Sequence, residues 1–124
     1  MKEIVLIRGI PGSGKSTMAR GMTTHMHYEA DMYHIDDDGV YKFNAGNTQI
    51  SHEWCAQMAK DAISLGASVV VSNTFTRMWE MKPYYDIAAQ FGASVRVIIA
   101  TGEYESVHNV PAEVVERMKE RFEQ

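Results

Sequence analysis

The run Gly9-Ile10-Pro11-Gly12-Ser13-Gly14-Lys15-Ser16 has the G-x-x-x-x-G-K-S spacing of a phosphate-binding P-loop. It follows the apolar run Ile4-Val5-Leu6-Ile7 and precedes Thr17-Met18-Ala19-Arg20, so it stands between an expected strand and an expected helix. Each residue type has a physical task there. Glycines let backbone N–H groups turn inward on a β-phosphate, and the helix N-terminus behind them adds roughly half a positive charge. Lys15 is placed to reach the β- and γ-phosphates, and the Ser16 hydroxyl to ligate the Mg2+ that accompanies them. Gly9, Gly12, Ser13, Gly14, Lys15, Ser16 and Thr17 are therefore the expected contacts to a nucleoside triphosphate, ATP, with Ser16 on the metal.

The rest of the chain must position that loop. Its 124 residues suit one domain, 1–124, and 45% apolar with 23% charged residues is ordinary globular composition. The net charge of −4 gives no sign of the basic surface that would hold a long nucleic acid by its phosphates, so any such contact should be local. The single cysteine, Cys55, allows no internal disulfide. Met1-Lys2-Glu3 leads straight into a strand, with no apolar segment long enough for a signal peptide or a membrane span. A cytoplasmic protein with no membrane partner is the expectation.

Periodicity predicts a helix from Ser16 to about His25, with Met18, Ala19, Met22 and Met26 on one face. His25 and His27 read as a polar helix end, since no Cys or acidic partner is spaced to complete a metal site. Met32-Tyr33-His34-Ile35 reads as a second strand running into Asp36-Asp37-Asp38-Gly39. Three carboxylates before a glycine commonly make a solvated turn, yet ligands of open α/β sheets bind beyond the carboxyl ends of the strands. Val40 to Ile50 reads as a loop, and Ser51 as the N-cap of a helix to about Leu65, with Cys55 on its apolar stripe and Gly66 ending it. Ser68 to Ser72 is a third strand ending in Asn73-Thr74-Phe75-Thr76-Arg77, whose polar residues should face the crevice of the P-loop. A helix from about Trp79 to Phe91, a strand from Ser94 to Ala100, a polar loop from Thr101 to Val110 and a helix opened by Pro111 complete the order. Strands alternating with helices imply a three-layer α/β/α P-loop NTPase sandwich around a parallel sheet of about four strands.

Several segments together carry a resemblance. Gly9 to Ser16, Ile35-Asp36-Asp37, Tyr41-Lys42-Phe43, His52-Glu53-Trp54, Asn73-Thr74, Trp79-Glu80-Met81-Lys82-Pro83-Tyr84 and Val110-Pro111 with Glu116-Arg117-Met118 resemble the polynucleotide-kinase-like branch of P-loop kinases. The match runs in order through nearly the whole chain. It implies transfer of the γ-phosphoryl of ATP to a hydroxyl of a polynucleotide end, a nucleotide or a related acceptor. The first aspartate of that family's D-D pair is a general base, which falls here on Asp36, with Asp37 or Asp38 as candidates to orient a Mg2+-bound water. Asn73 and Thr74 are the expected substrate contacts.

The departures matter as much. Relatives usually carry an aspartate after the third strand, in a D-N-T or S-D-T context, whereas Ser72-Asn73-Thr74-Phe75 has no carboxylate. They also carry a lid arginine before the V-P motif, whereas Gly102 to Asn109 holds no arginine or lysine; Arg77 is the best substitute in the chain. Tyr41, Phe43 and Phe75 are candidates to stack a base, beside the commoner role of packing a core. The alternatives to a polynucleotide-type kinase are an ATP-binding switch or interaction module with weak or no transfer, and a zeta-toxin-like kinase of sugar nucleotides.

Overall fold

The computed structural model describes residues 2–102 and 110–123. A parallel sheet of four strands lies at its centre in the order β2-β3-β1-β4, with β1 Glu3–Arg8, β2 Met26–Tyr28, β3 Val69–Asn73 and β4 Ser94–Ile99. Because β1 sits between β3 and β4, each connection crosses over the sheet and the P-loop emerges from an interior strand. The helices are α1 Lys15–Arg20, α2 Thr48–Ser64, α3 Lys82–Phe91 and α4 Ala112–Arg121.

Strand alternation divides the core in two. Ile4 and Leu6 of β1 and Val69 and Val71 of β3 point to the face covered by α2 and α3, where Cys55, Ala59, Ile63, Tyr84 and Ile87 meet them. Val5, Ile7 and Val70 point to the other face, covered by Ala19 of α1 and half-buried Met22. Full burial of such side chains contributes about 1.5–3 kcal/mol each, so β1 and β3 anchor both layers at once. β4 is an edge strand with Val97 and Ile99 partly exposed.

Two expected elements are corrected. The first helix ends at Arg20 rather than near His25, because Gly21 takes the C-cap and its N–H closes on the carbonyls of Thr17 and Met18, each at 3.2 Å. The second strand is then Met26–Tyr28, and the stretch read as a strand is instead a 3-10 turn, Ala30–His34, with Ala30 and His34 buried. A strand this short carries no periodicity of its own. It is fixed by pairing with β3, Met26 against Val69 and Tyr28 against Val71.

Helix α2 starts earlier than expected. Asn44 accepts from the Gly46 N–H and a short 3-10 turn, Ala45–Asn47, leads into Thr48. Ser51 is thus inside the helix rather than its cap, its buried hydroxyl donating to the Thr48 carbonyl at 2.7 Å. Gly66 and Gly92 end α2 and α3 in the left-handed region. The Trp79 segment opens with a 3-10 turn, Met78–Met81, before α3. Pro111 precedes α4, whose Val114, Val115 and Met118 are half-buried. Most of the loop from Thr101 to Val110, including the stretch expected to lack a lid arginine, lies outside the described residues.

Candidate functional site

The P-loop is folded as its glycines require. Gly12 and Gly14 have φ of 84° and 87°, conformations that a side chain disfavours. A Cβ on Gly9 would collide with Ser13 Oγ and come within 3.0 Å of the Ala100 carbonyl, so the loop start admits no larger residue without movement. The Gly9 N–H donates to the Thr74 carbonyl at 3.2 Å, tying the loop to the end of β3. Ser13 Oγ is buried with no hydrogen-bond partner among the described residues. An orphaned hydroxyl in a ring of inward-turned backbone is the setting in which an anion's oxygens are satisfied.

A crevice of about 1080 Å3 opens beyond the loop. Lys15 lines it, and burial pushes its ammonium below the ordinary lysine value, opposed by the Glu29 and Asp31 carboxylates. Both acids come from the carboxyl end of β2, Glu29 just past the strand and Asp31 in the 3-10 turn, and both line the crevice. Neither was singled out from sequence. The signal available was their position: with the strand placed at Met26–Tyr28, Glu29-Ala30-Asp31 becomes the strand end that faces the loop.

A hydrogen-bonded chain holds this corner. Ser16 Oγ donates to Glu29 Oε2 at 2.7 Å, and Ser72 Oγ donates to the same oxygen at 2.8 Å. His27 Nε2 lies 2.7 Å from Ser72 Oγ, and burial lowers the pKa of its ring, opposed by the Glu29 carboxylate. The Ala30 N–H donates to Asn73 Oδ1 at 2.8 Å, and Asn73 Nδ2 reaches Cys55 Sγ at 3.8 Å. Burial pushes the Cys55 thiol up, which makes it a packing residue. Tyr41 donates weakly to Asp31 Oδ1 at 3.4 Å, and burial beside Asp31 pushes the phenol up to about 12.

The residues expected from sequence divide sharply. Gly12, Ser13, Gly14, Lys15, Ser16 and Thr17 line the crevice together with Asn73 and Thr74. Asn73 is nevertheless buried and its amide is spent on Ala30 and Cys55, so it positions the acidic strand end as well as lining the wall. The structure does not bring Asp36 or Asp37 to the crevice. Asp36 closes a turn: its Oδ1 accepts from the Asp38 N–H at 3.0 Å and the Val40 N–H at 2.9 Å, and Lys42 Nζ lies 3.1 Å from Oδ2. Those contacts, the Val40 bond first, hold the Asp36 carboxyl below the ordinary aspartate value. Asp37 and Asp38 are exposed on the same turn.

Arg77 is also elsewhere. It is exposed and lines a second groove, about 1200 Å3, between α2 and α3, which meets the crevice at Thr48 and His52. Among the described residues, Lys15 and Arg20 are the lysine and arginine that line the crevice. Phe75 is core rather than a stacking platform, 1% exposed and edge-on to Tyr84 with ring centroids 5.6 Å apart. Its φ of 44° is unusual for a bulky residue. Buried Arg8 holds it there by donating to the Phe75 carbonyl from Nε at 3.0 Å and Nη2 at 2.6 Å, while its guanidinium lies over the Phe122 ring, 4.4 Å from the centroid. Phe43 is different. It stands 57% exposed at the crevice, its ring centroid 5.0 Å from that of His34.

A four-stranded parallel sheet with the phosphate loop after its interior strand, and a lysine and two acids in one crevice, defines a kinase-like P-loop domain. The chain belongs to the AAA domain family, which it matches over residues 4–103. It is 37% identical over 87 residues to NEDD4-binding protein 2 of Homo sapiens, covering 65% of this chain and 5% of that protein. It is 30% identical over 109 residues to the bifunctional polynucleotide phosphatase/kinase of Schizosaccharomyces pombe, covering 87% of this chain and 24% of that protein. The chain thus spans only a small part of either relative. Among solved structures, the Pnkp1/Rnl/Hen1 RNA repair complex matches with a TM-score of 0.74 at 13% identity, over 98% of this chain and 44% of that one. The gluconokinase of Sinorhizobium meliloti 1021 matches with a TM-score of 0.65 at 14% identity, over 98% and 75%. At such identities these two matches speak for the fold. No helix among the described residues is long and apolar enough to cross a membrane.

Proposed function

We propose that this domain transfers the γ-phosphoryl of ATP to a hydroxyl of a polynucleotide end, a nucleotide or a related acceptor, with Asp31 rather than Asp36 as the general base. The observation that carries the reading is the placement of Asp31 on the crevice lined by Lys15 and Ser16, at the end of the strand next to β3. The yeast relative, a polynucleotide phosphatase/kinase, supports the acceptor class.

In the step proposed, the acceptor hydroxyl oxygen forms a bond to the γ-phosphorus while the bond from that phosphorus to the β,γ-bridging oxygen breaks. The hydroxyl proton passes to the Asp31 carboxylate and ADP leaves with the bond's electron pair. The P-loop N–H groups and Lys15 hold the β- and γ-phosphates in line. Hard oxygen donors, Ser16 of α1 with the carboxylate that follows β2, suit the Mg2+ that shields phosphate charge in such reactions. Exposed Phe43 beside His34 offers a face on which an acceptor base can stack.

A second reading, a nucleotide-operated switch with little transfer, is favoured by one specific observation: Arg77 lines the α2–α3 groove instead of the crevice. One experiment separates the two. Labelled γ-phosphate is followed from ATP and Mg2+ to 5′-hydroxyl oligonucleotides, nucleosides and small alcohols. Transfer that Asp31→Asn abolishes supports the kinase. Intact ATP binding with no transfer to any acceptor leaves the switch.

A further inference from the structure

We propose that Glu29 is the carboxylate that orients the P-loop serine toward a divalent cation, and that it does from β2 the task for which the end of β3 carries no acid. The inference rests on the nucleotide-binding part of the reading above and not on the transfer step.

The end of β3 is Ser72-Asn73, followed by Thr74, with no carboxylate. A P-loop serine whose hydroxyl ligates a cation needs an acceptor for its proton, so that its lone pairs face the metal. Ser16 has that acceptor in Glu29 Oε2 at 2.7 Å. The acid arrives from the neighbouring parallel strand, and it does not arrive loosely. Ser72, standing on β3, donates to the same oxygen at 2.8 Å. Since Ser72 uses its proton on Glu29, His27 Nε2 at 2.7 Å must carry the N–H that donates to Ser72 Oγ. Protons are thereby ordered in one direction, from His27 to Ser72 to Glu29, and from Ser16 to Glu29.

The geometry is economical of charge. A carboxylate on either strand end would serve, but two of them at 2.8 Å separation would repel, so a glutamate just past β2 goes with an uncharged hydroxyl on β3. Glu29 is a positioning residue. It acts on the cation through Ser16, from a place on the crevice wall. The described residues contain no cluster of three or more His, Cys, Asp or Glu suited to a metal. A Mg2+ bound chiefly by nucleotide phosphates, water and Ser16 asks for no such cluster.

The test measures ADP affinity of the full chain by calorimetry, in Mg2+ and again in EDTA, with Mn2+ paramagnetic resonance as a direct view of the ion. In the parent, Mg2+ should tighten ADP binding by about tenfold or more. Glu29→Gln should lose about a tenfold share of that gain, in the range found for residues behind a metal's ligands, while binding ADP in EDTA like the parent. On a Ser16→Ala background Glu29→Gln should remove nothing further, which a purely structural glutamate would not obey. Returning the acid to β3, as Glu29→Ser with Ser72→Asp, should restore the gain. A Glu29→Gln chain that keeps the full Mg2+ gain overturns the proposal, as does a parent with the same ADP affinity in Mg2+ and EDTA. Neither result touches the kinase reading, which the labelled-phosphate assay decides separately.

Discussion

Two acidic segments lie a few residues apart and face opposite surroundings. Glu29-Ala30-Asp31 follows β2, buries Ala30 between two half-buried acids, and turns those acids on the crevice of the phosphate loop. Asp36-Asp37-Asp38 forms a turn in which Asp36 accepts from two backbone N–H groups and its neighbours stand in water. The denser run of charge therefore closes a surface turn, and the sparser pair lines the crevice of the phosphate loop. Concentrated like charge is tolerated where solvent screens it, whereas a crevice can hold an acid only where hydroxyls, backbone and a lysine satisfy it.

The comparison is broken most directly by removing one acid from each segment. Asp31→Asn should lower phosphoryl transfer by about a thousandfold, the range of a general base, while ADP affinity stays near the parent's. Asp36→Asn should change the rate by no more than about twofold, as a substitution in a surface turn that does not line the crevice. Initial rates with labelled ATP decide it, and the reverse order of effects would return the base to Asp36.

Asn73→Ala attacks the support of the inner segment. The Ala30 N–H is bonded to Asn73 Oδ1 at 2.8 Å, and leaving such a buried donor unpaired costs about 1–3 kcal/mol. Urea unfolding should register that loss, and transfer should fall with it because Asp31 follows directly on Ala30. A fall in stability with no change in rate would separate Asn73 from the placement of Asp31.

What could be read from the chain follows the same division. The loop, β1, β3, α3 and α4 were legible because each carries its own signal: glycine spacing, continuous β-branched runs, or a proline and a periodic apolar stripe. β2 was not. It consists of Met26, His27 and Tyr28, pairs with β3, and its identity is set by that partner, distant in sequence. The stretch Met32 to Ile35 mimicked a strand because Met32 and His34 turn inward while Tyr33 and Ile35 are exposed, an alternation too short to tell from a pleat. That one shift moved the expected carboxyl end of the strand from Glu29-Ala30-Asp31 to Asp36-Asp37-Asp38. Arg77 lines the other groove for a different reason: where a side chain leaves a loop depends on the turn, and here the Glu80 carboxylate accepts from the Arg77 N–H at 2.9 Å as the chain turns toward α3.

The outer turn can be tested by its backbone. Gly39 has φ of +80° with open space around a would-be Cβ, so Gly39→Ala meets strain without collision. The cost should be about 1–2 kcal/mol by thermal unfolding, with transfer nearly unchanged. A large loss of transfer would mean that the turn does more than present Tyr41 and Phe43 to the crevice.

The smallest effect is also the one with a defined dependence on pH. The Val40 N–H and then Lys42 hold Asp36 below its ordinary value, so its folded state favours the carboxylate. A depressed acid contributes stability that is present above the unfolded value, about 3.9 for aspartate, and is lost as pH falls through the folded value. Asp36→Asn should therefore be slightly less stable than the parent near neutral pH, and the gap should close as the solution is acidified below about pH 4. Salt divides the contribution further. Lys42 is 72% exposed, so its share should fade at high ionic strength, while the bond to the Val40 N–H should persist. A gap that survives salt and closes only with acid identifies Asp36 as the keystone of a turn. A gap that widens on acidification would mean that the Asp36 carboxyl is raised rather than lowered, and would put its charge back among the groups that the folded protein has to suppress.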